Sequence, residues 1–133
     1  MSDQTVFPAL RYADLRAAID FLERAFGFEL RMAVDGGGGE IVHAELTLGA
    51  GMIMLGADRP SDGDEYSAVA PGPGSGATYV VVDDTDHHYE QAVAAGAEIL
   101  IDLHDTDYGS RDYTAGDPEG NVWTFGTYQP WQA

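Results

Sequence analysis

Cysteine and lysine are both absent from this chain of 133 residues. Without cysteine there is no disulfide, no thiolate metal site and no cysteine nucleophile. Without lysine, the positive charge rests on six arginines against 23 Asp and Glu, a net charge of −17. A field of that sign repels phosphate backbones and anionic lipid, which argues against nucleic acid or a membrane as partner. It favours a cationic ligand if the acids converge on a groove, and otherwise describes a solvated acidic surface. No apolar run approaches membrane-spanning length. The opening Met1-Ser-Asp-Gln4 lacks the charged-apolar-small pattern of a secretory signal, so a cytoplasmic location is the default expectation.

What is present suits one globular domain. Apolar residues make up 44% and charged residues 22%, ordinary proportions for a chain that folds alone. Near the end stands Tyr113-Thr-Ala-Gly-Asp117-Pro-Glu-Gly-Asn121-Val-Trp-Thr-Phe-Gly126, which reads as strand, tight turn and strand. Pro118 presets the turn, and Gly120 with Asn121 can take positive φ. Trp123 and Phe125 alternate onto a core face, leaving Val122 and Thr124 to line a cavity.

The order of elements is repeated. In the first half, a strand over Val6–Tyr12 starts beside Pro8, a residue suited to a sheet edge or strand start. Asp14 caps a helix with Leu15, Ala18, Ile19, Leu22 and Phe26 at helical spacing, and Gly27 fits the position after it. Three strands follow, over Phe28–Val34, Ile41–Leu48 and Met52–Leu55. In the second half come Thr78–Val82, a helix capped by Asp83 or Asp84, and strands over Glu98–Ile101, Arg111–Ala115 and Val122–Phe125. Asp14 to Gly27 and Asp83 to Gly96 span the same 13 positions, and Ile53-Met-Leu-Gly56 matches Trp123-Thr-Phe-Gly126 at an offset of 70. Such a repeat means two copies of one unit, neither able to bury its sheet face alone. The expected organisation is a single domain over 1–133. Repeat one covers about 5–57, a Pro- and Gly-rich loop 58–76, and repeat two about 77–128. The loop glycines do not follow a strand and open a helix, so they do not cradle phosphate.

A duplicated strand-helix-three-strand unit ending in Asp117-Pro-Glu-Gly-Asn-Val-Trp-Thr-Phe125 resembles the glyoxalase / bleomycin resistance / extradiol dioxygenase superfamily, also called vicinal oxygen chelate. Leu10-Arg-Tyr-Ala-Asp14 through Phe21-Leu-Glu-Arg-Ala-Phe-Gly27-Phe28 fits it equally well. The resemblance covers nearly the whole chain. It implies an α+β fold in which two βαβββ repeats make a strongly curved, incomplete-barrel mixed sheet with helices outside and a concave cleft. It also implies a homodimer with grooves formed partly between subunits. Metal-binding members take one His, Glu or Gln from the first and last strand of each unit. Here those positions fall at Phe7, Met54, Ala77 and Thr124, none a good ligand for a hard or borderline divalent cation. No metal or other cofactor is therefore expected.

The remaining candidates divide by face. His43 and Glu45 lie two apart on one strand and share a face. They either line the cleft, as hydrogen-bonding groups or a proton-transfer pair, or form an exposed strand pair. Phe7, Met54, Tyr79 and Tyr113 are assigned to the concave side, where rings and thioether suit a flat apolar ligand; ordinary core filling is the competing role. Arg111, in acid-rich surroundings, is expected to make structural ion pairs before it binds an anionic group. Of His87 and His88, one faces solvent and the other the sheet. His104-Asp-Thr-Asp107 is too short for a calcium loop, and no nucleophile elbow is present.

Two functions are consistent with this. The leading one is a metal-free small-molecule binding protein that sequesters a flat aromatic or cationic compound, as resistance proteins do. Its contacts would be Phe7, His43, Glu45, Met54, Tyr79, Arg111, Tyr113 and Thr124. The alternative is a lyase, isomerase or dioxygenase of the same fold with a relocated site at His43 and Glu45. A scaffold whose dimer is the functional product comes third.

Overall fold

The computed structural model describes residues 4–58 and 65–132, so the expectations for Met1 to Asp3 lie outside it. The first repeat consists of β1 (Ala9–Tyr12), α1 (Leu15–Phe26), β2 (Glu29–Asp35), β3 (Ile41–Leu48) and β4 (Gly51–Ala57). The second consists of β5 (Ala77–Val81), α3 (Thr85–Ala94), β6 (Glu98–Asp105), β7 (Arg111–Gly116) and β8 (Val122–Gly126). Between them, within the segment expected to be a loop, Glu65–Val69 forms a short helix, α2; residues 59–64 lie outside the described residues. A 3₁₀ turn at Pro130–Gln132 closes the chain.

Each repeat builds a four-stranded mixed sheet. The orders are β1-β4-β3-β2 and β5-β8-β7-β6, the first pair of each parallel and the others antiparallel. The architecture is the expected α+β one of paired repeats; among the described residues the two sheets are open and form no closed barrel. β1 begins only after Pro8, which has no amide hydrogen; its carbonyl accepts from Met54 N at 2.9 Å.

The helices form where capping and periodicity agree. The Asp14 side chain accepts from Ala17 N at 3.1 Å, and Gly27 ends α1 at φ 81°, where a Cβ would be strained. Between these caps Leu15, Ala18, Ile19, Leu22 and Phe26 are buried. Asp84, not Asp83, caps α3, accepting from His87 N at 3.1 Å. Its buried face is Thr85, His88 and Ala92, while Val93 lies on the exposed side.

The two repeats share one core. Phe26, the last residue of α1, packs on Phe125 at 4.7 Å and Trp123 at 5.8 Å between ring centroids, so the first helix completes the second sheet. The turn after β7 makes the second junction. Asp117 Oδ2 accepts from Tyr12 Oη at 2.6 Å, Trp123 Nε1 at 3.1 Å and Asn121 Nδ2 at 3.2 Å. Its Oδ1 accepts from the amides of Glu119 and Asn121 at 3.0 and 3.1 Å. The Glu119 carboxylate in turn accepts from Ala13 N and Asp14 N, at 2.6 and 2.9 Å, as the chain enters α1. Burial and the facing Asp117 carboxylate push the Tyr12 hydroxyl far above its usual pKa, so it stays a donor. Only Gly120 in this turn has positive φ; the Asn121 side chain donates to Asp117 and accepts from Gly76 N.

One assignment of side is corrected by the register. Tyr113 lies opposite Phe125, and Thr114 opposite Thr124. Opposite residues share a face, and Phe125 faces the helices. Tyr113 therefore points into the core, with 0% of its surface exposed. It is a packing residue on the side away from any cleft.

Candidate functional site

The side of each sheet turned away from the helices is open. On the first sheet, the register sets His43 beside Gly56 and Glu45 beside Met54, with Ala9 next in line. Met32 and Val34 extend these rows on β2. Ahead of β1, the Gln4 side-chain amide imitates a strand, donating to Met52 O at 2.9 Å and accepting from Met52 N at 2.8 Å. That lays residues 4–8 along β4 and brings Phe7 beside Thr47 and Met52.

Polar groups on this face form a chain. Glu45 Oε2 lies 3.2 Å from His43 Nε2, and its Oε1 accepts from Arg31 Nη1 at 2.9 Å. The guanidinium fixes the carboxylate, and the carboxylate orients the imidazole. A depression of about 320 Å³ adjoins it, lined by Ala9, Arg11, His43, Met54, Gly56 and Tyr66. Arg11 Nη2 donates to Ser67 Oγ at 3.0 Å and meets Asp58 Oδ1 at 3.4 Å, and its guanidinium stands 5.5 Å from the Tyr66 ring centre. α2 is thereby drawn against the open face by a cation–π contact and a hydrogen bond. Arg11 and Tyr66 were not among the sequence candidates. The parity of Arg11 with Phe7 along β1 carried the signal for the first; nothing local carried it for the second.

The second sheet contributes Tyr79 and Thr124, which lie opposite each other. Thr124 Oγ1 pairs with Thr114 Oγ1 at 2.8 Å. Tyr79 and Met52 line a further depression of about 380 Å³, where the two repeats meet. Arg111 stands apart, donating from Nε to Asp86 at 2.6 Å and from Nη1 to Asp105 at 3.1 Å; these carboxylates raise its pKa. His88 is the sheet-facing member of its pair and is buried. The structure thus gathers Phe7, His43, Glu45 and Met54 on one face and Tyr79 with Thr124 on another. Tyr113 and Arg111 belong to neither group.

The four positions that the family resemblance aligns with a metal site hold Phe7, Met54, Ala77 and Thr124. Their only oxygen donor is a threonine hydroxyl already paired with Thr114. This set does not fit a divalent cation, which requires imidazole or carboxylate.

The sequence profile of the Glyoxalase/Bleomycin resistance protein/Dioxygenase superfamily matches residues 4–125. Over 121 residues the chain is 31% identical to the uncharacterized protein Mb0911c of Mycobacterium bovis, covering 90% of this chain and 80% of that protein. Among solved structures, TioX from Micromonospora sp. ML1 is 33% identical with a TM-score of 0.75, covering 92% of this chain and 94% of TioX. A glyoxalase/bleomycin resistance protein from a Streptomyces species superimposes with a TM-score of 0.71 at 20% identity, covering 92% and 98% of the two chains. At that identity the likeness speaks for the fold alone.

Proposed function

The chain belongs to the glyoxalase/bleomycin resistance protein/dioxygenase superfamily, and from that premise we propose that it is a small-molecule binding protein working without a metal. It sequesters a flat aromatic or cationic compound in the manner of resistance proteins. One observation carries this reading: the open face of the first sheet sets Met54 beside Glu45, with His43 across the same depression and Phe7 farther along by Met52. Rings and thioethers bind planar apolar groups by contact area, while the imidazole and the clamped carboxylate supply a few directed hydrogen bonds. A homodimer, in which a second copy closes the open faces into grooves, belongs to the same proposal.

The test is a titration of the intact protein with a broad panel of planar aromatic antibiotics, followed by melting temperature. A true ligand at 100 times its Kd stabilises the fold by roughly 2.7 kcal/mol. No shift across the panel overturns the proposal, and light scattering that finds only monomers removes the dimer.

The contact between His43 and Glu45 supports a second reading, an enzyme with a relocated proton-transfer pair. It predicts turnover of a carbonyl or enediol substrate that Glu45→Gln abolishes. Stoichiometric Zn, Ni, Mn or Fe in the purified protein would also favour it.

A further inference from the structure

Asp112 lies on the open side of β7, opposite Gly126 and two residues from Thr114, yet is only 5% exposed. Rings and hydroxyls cover it, not cations. Ser110 Oγ donates to Oδ1, and Tyr108 Oη approaches Oδ2 at 3.5 Å, the far limit of a hydrogen bond. The adjacent Arg111 turns away to Asp86 and Asp105. His104, opposite Asp112 in the register, points Nδ1 at the Asp102 carbonyl, 2.8 Å away. Among the described residues no Arg or His pairs with this carboxylate. A carboxylate withdrawn from water beside neutral hydroxyls alone is an unfavourable arrangement, which an arriving cation relieves.

The cover is made of tyrosines. Tyr79 and Tyr128 meet at 6.4 Å and 62°, Tyr128 and Tyr108 at 5.6 Å and 83°. Tyr79 Oη donates to Tyr128 O at 2.8 Å, and Tyr128 N donates to Ser110 Oγ at 2.9 Å, fastening the segment after β8 beside Asp112. Across the strand pair, a Cβ at Gly126 would run into the Asp112 carboxylate and come within 3.0 Å of Tyr79 Oη. Glycine there lets the tyrosine hydroxyl reach over the sheet toward the acid.

We propose that Asp112 with Tyr79, Tyr108 and Tyr128 forms a subsite for an organic ammonium group. The carboxylate neutralises the charge, and the crossed ring faces hold the alkyl substituents by cation–π attraction. Tyr108, 62% exposed and held only loosely at its hydroxyl, is the movable wall. The ammonium takes its place at Oδ2. A metal ion is a poor match, because no three His, Asp or Glu groups converge among the described residues. The net charge of −17 raises the local concentration of any cation. This deepens the ligand-binding reading and rests on it, since the ammonium is one part of the sequestered molecule.

The experiment titrates the intact protein with tetramethylammonium chloride and follows tyrosine ring resonances by NMR. Sodium chloride controls for ionic strength, and neopentyl alcohol serves as the uncharged analogue. The probe carries no aromatic part, so its failure leaves the aromatic-ligand titration to stand or fall alone. Saturable binding is expected, at least about tenfold tighter than for the alcohol. Asp112→Asn abolishes it. Tyr108→Phe keeps or tightens it, because the ring remains and the competing hydroxyl goes. Tyr108→Leu weakens it about fivefold. Since Asp112→Asn can disturb folding, the two Tyr108 variants decide the matter by themselves. Absence of saturation, equal binding of the alcohol, or indifference to Tyr108→Leu overturns the proposal.

Discussion

The hydroxyl of Tyr113 lies 2.5 Å from Nδ1 of His88, while Nε2 of the same ring donates to the Phe26 carbonyl at 2.8 Å. A carbonyl only accepts, so a proton sits on Nε2. Burial disfavours a second proton on the ring, which leaves Nδ1 to accept from the Tyr113 hydroxyl. The pair ties α3 and the second sheet to the end of α1, inside the aromatic core.

Acid should therefore loosen the fold. Burial lowers the His88 pKa below its ordinary 6.5. As pH falls through 6.5, the unfolded chain takes up a proton that the folded ring refuses, so stability declines with falling pH. Urea denaturation at pH 7 and pH 5 is expected to show this decline, and His88→Phe to flatten it. An equal slope in both proteins would contradict the assignment.

Tyr113 and Met54 should separate stability from binding. Tyr113→Phe leaves His88 Nδ1 without a donor and is expected to cost about 1–3 kcal/mol, with ligand affinity unchanged. Met54→Ala removes contact area on the open face and is expected to weaken an aromatic ligand about fivefold or more, with a smaller loss in melting temperature. Parallel denaturation and binding titrations read both.

The Tyr12–Asp117 bond should behave as a coupling between repeats. Tyr12→Phe is expected to destabilise by about 1–3 kcal/mol. A double-mutant cycle with Asp117→Ala should give an interaction energy of about 0.5–3 kcal/mol. A value near zero would mean that this bond contributes nothing to the joining of the repeats.

Gly126→Ala places a methyl group against the Asp112 carboxylate. Overpacking of this kind typically costs about 1–3 kcal/mol. Gly56, its counterpart in the first repeat, meets nothing within 4 Å, so Gly56→Ala should be near neutral. Thermal melts of the two variants make the comparison.

The repeat, α1, α3 and the closing hairpin were legible because each announces itself locally, whereas α2 was not. Asp14 caps, Asp83 or Asp84 offers the second cap, Gly27 ends a helix, and Trp123 and Phe125 alternate. The Tyr113 face was not legible: Arg111-Asp-Tyr-Thr-Ala115 has no apolar alternation to set its phase, and only pairing with Phe125 does so. Tyr66 was invisible for a related reason, since α2 is held by Arg11, far away in sequence. Asp112 looked like one more solvated acid until the strand pairing brought it opposite a glycine and the tail folded tyrosines over it.

Among the described residues, no carboxylate of the first repeat receives the amides that lead into α3 as Glu119 receives those of Ala13 and Asp14. At the equivalent bend the first repeat carries Gly49-Ala50. The duplicated halves have thus ceased to be interchangeable. A chain assembled from two leading halves would keep the Asp14 cap on each helix but lose the carboxylate that grips the chain before it, since only the trailing half carries Glu119.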